Sequence, residues 1–228
     1  MRAVDTLLHT LQLADSFFPS GLYTLSHGLE TYAHANLIAP QTLAPLIGDL
    51  LRFGAGPSDG VALACAHRAT PGNLDDAVAA DHRLTAVKLA REPREASLRT
   101  GRQLLSLATA VFGGETVPAY AALVRRGGAP GNHAVALGLT MATLGIPRDQ
   151  ALAAELYAFA AGCLGALLRL ALIDHRTAQT TLHHLIPLIA DTTQENLHRE
   201  VWEIGGCLPF AEIMAMRHET ADVRLFAT

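Results

Sequence analysis

The sequence is nearly devoid of lysine, which removes several classes of nucleotide-binding protein. Lys88 is its only lysine, although lysine and arginine together number 17. A phosphate-binding P-loop requires Gly-Lys-Ser/Thr, whereas Lys88 lies in the run Ala-Val-Lys-Leu. The HRD and DFG triplets of protein kinases are absent, and so is the G-x-G-x-x-G fingerprint of dinucleotide-binding folds. The chain is therefore not expected to bind a nucleotide through any of these motifs.

Cysteine is also scarce and is not arranged for cross-linking. The three cysteines, Cys65, Cys163 and Cys207, lie far apart and form no C-x-x-C pair. This spacing argues against a disulfide framework and against a structural zinc site, and it fits a reducing compartment. Asp5 and His9 interrupt the apolar run that a signal peptide would need. We therefore expect a cytoplasmic protein.

Charge is sparse and shows no concentration of one sign. Only 17% of the residues are charged, 50% are hydrophobic, and the formal net charge is −4. The arginines are scattered, so no basic surface for nucleic acid is expected. High apolar content with few charges excludes a disordered chain, and it predicts apolar surface that another protein or a second copy would cover.

Apolar residues recur with helical spacing along most of the 228 residues. The pattern predicts an opening helix over 7–14, a helix over 40–53 that ends at Gly54-Ala-Gly-Pro57, and a new helix over 57–71. The glycine-rich stretch 127–131 is interpreted as a loop and not as a domain linker. No strand pattern and no internal repeat stands out. We therefore predict a single all-α domain, 1–228, of about nine or ten helices.

One segment, 156–173, is apolar enough to raise the question of a membrane span. It contains a single charge, Arg169, and many Ala and Gly residues. A spanning helix requires about 20 predominantly apolar residues. A central core helix is the favoured interpretation, and a membrane-associated protein is the alternative. Inside a core helix, Arg169 should pair with an acid or a carbonyl oxygen at a helix junction.

No set of residues has the spacing of a catalytic or metal site. A metal-dependent hydrolase, with ligands from His67, His82, His183 and His184, is kept as an alternative function, although neighbours on one helix cannot chelate one ion. Ser16, Ser20 and Ser26 lie in one segment with His27, and turn and capping roles are favoured for their hydroxyls. Glu92 and Glu95 are expected on a solvated helix face with nearby arginines. We predict no catalytic residues and no metal ligands.

Two stretches are unusual for a monomeric surface. In 15–30, Phe17 and Phe18 are adjacent in a turn, so both cannot easily point inward, and Gly28 falls within a helical pattern. The end of the chain, 218–228, carries apolar residues beside an arginine, which is the composition of an interface hot spot. Such a tail either docks on a partner or packs on its own core, and the sequence leaves both open.

At these stretches the sequence resembles the UreF family of urease accessory proteins. Four blocks, in the family's order, carry the resemblance. The first runs from Leu11-Gln-Leu13 through Asp15-Ser16, Pro19 and Gly21 to Ser26-His-Gly-Leu-Glu30, and the second is Arg91-Glu92, Glu95-Ala-Ser97, Gly101 and Leu104-Leu105. The third is Arg169-Leu170 followed by Gln179, and the last is Pro209, Ile213, Met216, His218-Glu219 and Arg224-Leu-Phe226. Tyr23 and Thr228 stand where the family usually has Phe and Ser.

The resemblance implies an all-α homodimer that is not an enzyme. It implies that the chain binds a UreD/UreH scaffold protein and recruits and regulates the GTPase UreG, so that nickel is inserted into apo-urease. No cofactor is expected to stay bound, since nickel would be handled transiently by the complex. The segment 218–228 is expected to be a partner-docking tail. The predicted partner-binding residues are His218, Glu219, Arg224, Leu225, Phe226, Ser26, Gly28 and Glu30.

Overall fold

The computed structural model describes residues 2–15, 17–19, 21–69, 72–222 and 224–228. Ser16, Ser20 and the predicted helix end at Pro71 lie outside the described residues. Eleven α-helices are present in the described part: Ala3–Ala14 (α1), Leu29–His34 (α2), Pro40–Asp49 (α3), Val61–Ala66 (α4), Asp75–Val87 (α5), Arg91–Val111 (α6), Thr116–Arg125 (α7), His133–Thr143 (α8), Arg148–Arg169 (α9), His175–Asn196 (α10) and Pro209–His218 (α11). A π-helical segment, Leu50–Gly60, joins α3 to α4, and short 3₁₀ turns lie at Leu22–Thr24 and Val201–Glu203.

The predicted all-α single domain is confirmed. Because α3, the π-helical segment and α4 are continuous, the described residues form ten separate helical rods, as the sequence predicted. No β-strand occurs in the part of the chain that the structure describes. The stretch 127–131 is a loop within the domain, also as predicted, because its glycines adopt a left-handed backbone at Gly127 and Gly131.

Helix α8 lies at the centre of the core. Nine consecutive residues of this helix, from His133 to Met141, are buried. It packs between α4, whose six residues are all buried, and the amphipathic α6. Helices α9 and α10 pack against each other and close the other side.

The predicted helix end at Gly54 is wrong, because the chain continues through Gly54 and Pro57 as a π-helix. Pro57 has no backbone N–H and so donates no hydrogen bond within this segment. The Phe53 carbonyl accepts a hydrogen bond from the Cys207 N–H at 2.9 Å. The Pro57 carbonyl likewise accepts from the Gly205 N–H at 3.0 Å. Backbone N–H groups of the distant stretch 205–207 therefore add hydrogen bonds to this segment.

Helix α9 is the segment that raised the membrane question. By length and composition alone it could cross a membrane, but a buried core helix passes the same test. Its residues Leu152, Leu156 and Leu164 are buried in the core against neighbouring helices. The helix ends at Arg169, short of the predicted 173, and Ala171 beyond it has a left-handed φ of 56°.

Helix α1 confirms the predicted opening helix but not the direction of its apolar face. Leu7, Leu8 and Leu11 are each more than half exposed, and Leu13 is the buried residue of this helix. In the turn that follows, Phe17 is 92% exposed, while Phe18 stacks on Phe112 with ring centres 6.4 Å apart. The prediction that both phenylalanines cannot point inward is confirmed.

Candidate functional site

The end of the chain packs on the body of the protein beside the segment 21–30. The Thr228 carbonyl accepts hydrogen bonds from the Ser26 N–H at 3.1 Å and from the Ser26 hydroxyl. The Ala227 N–H donates to the Thr24 carbonyl at 2.9 Å. Phe226 and Thr228 are buried. Of the two alternatives left open by the sequence, the structure shows the tail packed on its own core.

A buried histidine between two carboxylates lies beneath this tail. His218, at the end of α11, is 1% exposed. Its Nδ1 lies 2.6 Å from Glu92 Oε2 on α6, and its Nε2 lies 2.9 Å from Glu30 Oε2 on α2. Both carboxylates are buried as well. We call Glu30, His218 and Glu92 the histidine cluster.

The same two carboxylates hold the tail. Glu30 accepts hydrogen bonds from the backbone N–H of Leu225 at 2.7 Å and of Phe226 at 3.1 Å. Glu92 Oε1 lies 2.5 Å from the Arg224 guanidinium. Burial opposes ionisation of Glu30, but the His218 ring and the two backbone N–H groups together lower the pKa of its carboxyl. Glu92 therefore binds His218 with Oε2 and Arg224 with Oε1. Glu30 binds the Leu225 N–H with Oε1, and its Oε2 contacts His218 and also accepts from the Phe226 N–H.

Glu219 ties the same region to the start of α6. Its Oε1 accepts from the backbone N–H of Arg91 at 2.7 Å and of Glu92 at 3.3 Å. These N–H groups have no partner inside the helix, and the helix dipole favours an anion there. Although desolvation works in the opposite direction, these hydrogen bonds lower the pKa of Glu219. The first turn of α6 is thus fixed by a residue 127 positions away in sequence.

Arg169, at the end of α9, contacts the tail at Phe226. It donates to the carbonyl oxygens of Gly165, at 3.1 Å, and of Tyr23. Its guanidinium carbon lies 3.9 Å from the centre of the Tyr23 ring and 4.6 Å from that of Phe226. The prediction that Arg169 pairs with a carbonyl at a helix junction is confirmed. The two aromatic rings add cation–π contacts that the sequence did not indicate.

The structure brings all eight predicted partner-binding residues into one region. His218, Ser26, Glu30 and Phe226 are buried there, whereas Leu225 is 65% exposed. Gly28 lies at the start of α2 with φ of +80°, and not inside a helix as its pattern predicted. A β-carbon at this left-handed position would be strained whatever the space around it.

Sequence reasoning placed Glu92 wrongly. It is buried against His218 and Arg224, and does not lie on a solvated face. Its helix neighbours in sequence are mostly polar, so local pattern could not show this. The available signal was its place beside Arg91 in the second block of the family resemblance. Tyr23, which packs on Arg169, stands where the family usually has Phe, and its local sequence does not indicate this contact.

A separate chamber of about 90 Å³ lies beside the tail, with ionisable side chains and Thr228 among its lining residues. His133 Nε2 and Glu155 Oε2 approach to 4.0 Å within it, and Lys88 binds Asp59 at 2.8 Å. Burial raises the pKa of Glu155 to about 7 and lowers the pKa of His133 to about 4. Between these values both groups are neutral, so their approach is not an ion pair.

The histidines of the alternative hydrolase do not form a metal site in the described part of the chain. Within the described residues, no group of three or more His, Cys, Asp or Glu side chains is placed to hold a metal ion. His67 is bonded to the Ile146 carbonyl at 2.8 Å. The rings of His183 and His184 lie side by side on α10, with centres 6.1 Å apart.

Comparison with known proteins identifies similar chains of one kind. The UreF family model matches residues 38–186. The chain is 31% identical to the urease accessory protein UreF of Trichodesmium erythraeum over 98% of this chain and 97% of that protein. It is 32% identical to UreF of Paenarthrobacter aurescens over 94% and 95% of the two chains, and 30% identical to UreF 2 of Brucella canis over 99% and 93%.

Proposed function

Because the chain belongs to the UreF family of urease accessory proteins, we propose that it is a non-enzymatic assembly factor for urease. In this proposal it binds a UreD/UreH-type scaffold protein and, with it, recruits and regulates the GTPase UreG. The complex then inserts nickel, its cargo, into apo-urease. The protein would act in the cytoplasm as a homodimer and would keep no cofactor bound.

The observation that carries the proposal is the convergence of separate sequence blocks in one region of the fold. Glu30, Glu92, Arg169 and His218 come from four different helices and meet around the last residues of the chain. The exposed parts of this region include Leu225 and the 43% exposed side chain of Arg224, an apolar group beside a cation. This composition is typical of an interface hot spot.

Exposed apolar side chains elsewhere support a protein that works in an assembly. On α1, Val4, Leu7, Leu8 and Leu11 are between 55% and 60% exposed. Partner proteins or a second copy would remove this surface from water, and each fully buried side chain of this size contributes about 1.5–3 kcal/mol. The α1 surface is consistent with the proposed homodimer.

The test is capture by a scaffold protein, with substitutions that leave the core untouched. Replacing Leu225 by Ser removes an exposed apolar contact without altering the backbone bonds to Glu30. We expect Leu225→Ser to weaken capture by a UreD/UreH-type protein about tenfold or more, since central interface residues contribute at least about 1–2 kcal/mol. Affinity is measured by pull-down and by light scattering of the co-expressed proteins.

Leu37→Ser is the matched control, because Leu37 is 45% exposed and lines a groove that includes no residue of 224–228. It should leave capture unchanged. Failure of the folded full-length protein to bind the scaffold protein would contradict the proposal. Equal weakening by both substitutions would place docking outside the tail region.

A further inference from the structure

The contacts of the histidine cluster require one more proton than two ionised carboxylates and a neutral imidazole carry together. Each ring nitrogen of His218 faces a carboxylate oxygen, at 2.6 Å and 2.9 Å. An ionised carboxylate can only accept hydrogen bonds. Two bridging protons are therefore required, whereas a neutral imidazole supplies one. Either the ring is doubly protonated or one carboxyl carries the additional proton.

This additional proton makes the buried region electrically neutral. Two carboxylates, one excess proton and the Arg224 guanidinium sum to zero. Glu219 is adjacent, but its charge faces Arg91 and the N-terminal N–H groups of α6. The charged groups around the ring are thus Glu30 from α2, Glu92 and Arg91 from α6, Glu219 after α11 and Arg224 from the tail. A neutral, fully bonded cluster is the form that burial tolerates.

We propose that the histidine cluster is a proton-linked latch that fastens residues 224–228 to the body of the protein. Loss of the excess proton to solvent leaves a ring lone pair facing a carboxylate at hydrogen-bond distance. The region then carries an uncompensated buried negative charge, which is relieved when one carboxylate turns toward water. Both carboxylates hold the tail, so this movement breaks bonds to Arg224 or to the N–H groups of Leu225 and Phe226.

The direction of the pH dependence follows from the proton count. The fastened state binds one proton more than the released state, so release is favoured as the pH rises. Acid acts on a different group: the pKa of Glu30 is lowered in the folded protein, so its support for the tail is lost only as the pH falls through that value. The tail is therefore held best at intermediate pH.

The latch is a property of the isolated chain, and only its consequence rests on the proposed function. Release would free Phe226 from the Arg169 and Tyr23 groups and offer the tail to a scaffold protein. In this way protonation would set how readily the tail can be used for docking. Because the latch can be measured without a partner, its failure and that of the proposed function are distinguishable.

The test is amide hydrogen exchange of the full-length protein without partners. The N–H groups of Leu225 and Phe226 donate directly to Glu30, so their protection factors report the latch. Protection is corrected for intrinsic exchange at each pH, with the buried Ala136 N–H of α8 as an internal reference. We expect at least a tenfold loss of protection between about pH 6 and about pH 9, while Ala136 stays protected.

Two substitutions separate the latch from general loosening of the fold. His218→Gln removes the two ring nitrogens that bridge the carboxylates and should leave the tail weakly protected with no pH dependence. In Glu92→Gln the side-chain amide can donate to a singly protonated ring, so the tail should stay fastened across the same range. Glu92→Gln remains informative if His218→Gln does not fold. His175→Gln, at an exposed histidine of α10, is the control and should keep the wild-type response.

Three results would overturn the latch. Uniform protection of Leu225 and Phe226 over the pH range in the wild type would exclude proton linkage at the tail. Retention of the wild-type pH dependence in both His218→Gln and Glu92→Gln would assign it to other groups. Loss of the dependence in His175→Gln would show that it is not specific to the cluster. An intact latch without scaffold binding would weigh against the proposed function alone.

Discussion

At the scale of single residues, the interior chamber contains ionisable groups held in unusual states. Burial lowers the pKa values of His27 and His133 to about 4 and raises that of Glu155 to about 7. The ring of His27 packs on Phe159 with centres 4.5 Å apart, which leaves it no carboxylate partner at that face. These groups make the stability of the protein depend on pH.

Replacing Glu155 by Gln should remove a fall in stability that the carboxyl causes as the pH rises. Because the pKa of Glu155 is raised from 4.5 to about 7, the folded state binds more protons than the unfolded state between these values. Its contribution is fully present below pH 4.5 and is lost as the pH rises through about 7. The free energy of unfolding in urea should show a wild-type loss on the order of 3 kcal/mol that Glu155→Gln lacks.

His27 and His133 affect the pH dependence of stability in the opposite sense to Glu155. Their lowered pKa values mean that their contribution is present above pH 6.5 and is lost as the pH falls toward about 4. Subtracting the free energy of unfolding of Glu155→Gln from that of the wild type at each pH removes the histidine contribution, which both proteins share. A difference that stays constant between about pH 5 and about pH 8 would contradict the prediction.

Asp81 is a buried residue whose removal should be costly. Its buried carboxylate accepts from the Tyr120 hydroxyl and the Gly131 N–H, both at 2.5 Å, and from the backbone and side-chain N–H groups of Asn132. Asp81→Ala leaves these donors buried without an acceptor and should cost about 3–5 kcal/mol in chemical denaturation. Tyr120→Phe removes one donor only and should cost about 1–2 kcal/mol. Equal losses of stability in Asp81→Ala and Tyr120→Phe would show that the other hydrogen bonds of Asp81 do not stabilise the protein.

At the scale of elements, the π-helical segment packs against both α9 and α10. Gly56 and Gly60 supply the space, because a β-carbon at Gly56 would lie 2.5 Å from Thr192 Cγ2 and one at Gly60 would lie 2.7 Å from Leu152 Cδ1. The wider π turn and the missing side chains together allow the continuous rod to be covered on both sides. A single-turn π-bulge is commoner than a stretch of 11 residues.

Gly56→Ala should therefore destabilise the protein, although alanine is the better helix former. The β-carbon would also lie 2.9 Å from the Leu51 carbonyl oxygen, which cannot move away easily. We expect a loss of about 2 kcal/mol or more, as in overpacked cores. Gly165→Ala in α9 is the control, because a β-carbon there meets no atom within 4 Å. It should be neutral or stabilise by about 0.5–1 kcal/mol, and thermal denaturation of both variants checks the sign.

At the scale of the whole molecule, the last residues of the chain join its first third to its middle. Glu30 and His218 are 188 positions apart, and Glu92 and Arg224 are 132 apart. Ser26 and Thr228 add a third long-range pair. The tail is thus part of the folded domain while it also presents Leu225 to solvent.

Ending the chain at Arg217 should destabilise the protein and not only impair docking. It would leave the Glu30 and Glu92 carboxylates buried without His218 and Arg224, which typically costs about 3–5 kcal/mol. Far-UV circular dichroism during urea unfolding gives the difference from the full-length chain. A shortened chain of unchanged stability would mean that the tail contributes nothing to the fold and serves docking alone.

The sequence by itself determined the class of fold and much of what the protein is not. Helical periodicity depends on residues three and four apart, so it is visible locally, and it predicted α1 and the core helix α9. Missing motifs excluded P-loop, kinase and dinucleotide-binding folds for the same reason. The four blocks that resemble the UreF family indicated where the candidate site would form, although not how its residues would meet.

Only the tertiary structure decided what those residues contact. The local sequence around Glu92 is typical of a surface helix. Glu92 is buried because it packs against His218, which lies 126 positions later in the chain. The helix predicted to stop at Gly54 continues, and the backbone of 205–207 donates hydrogen bonds to its Phe53 and Pro57 carbonyls. The protonation of the histidine cluster likewise depends on two carboxylates brought together from α2 and α6. Such long-range pairings leave no local signature, because their energy appears only when distant segments exclude water together.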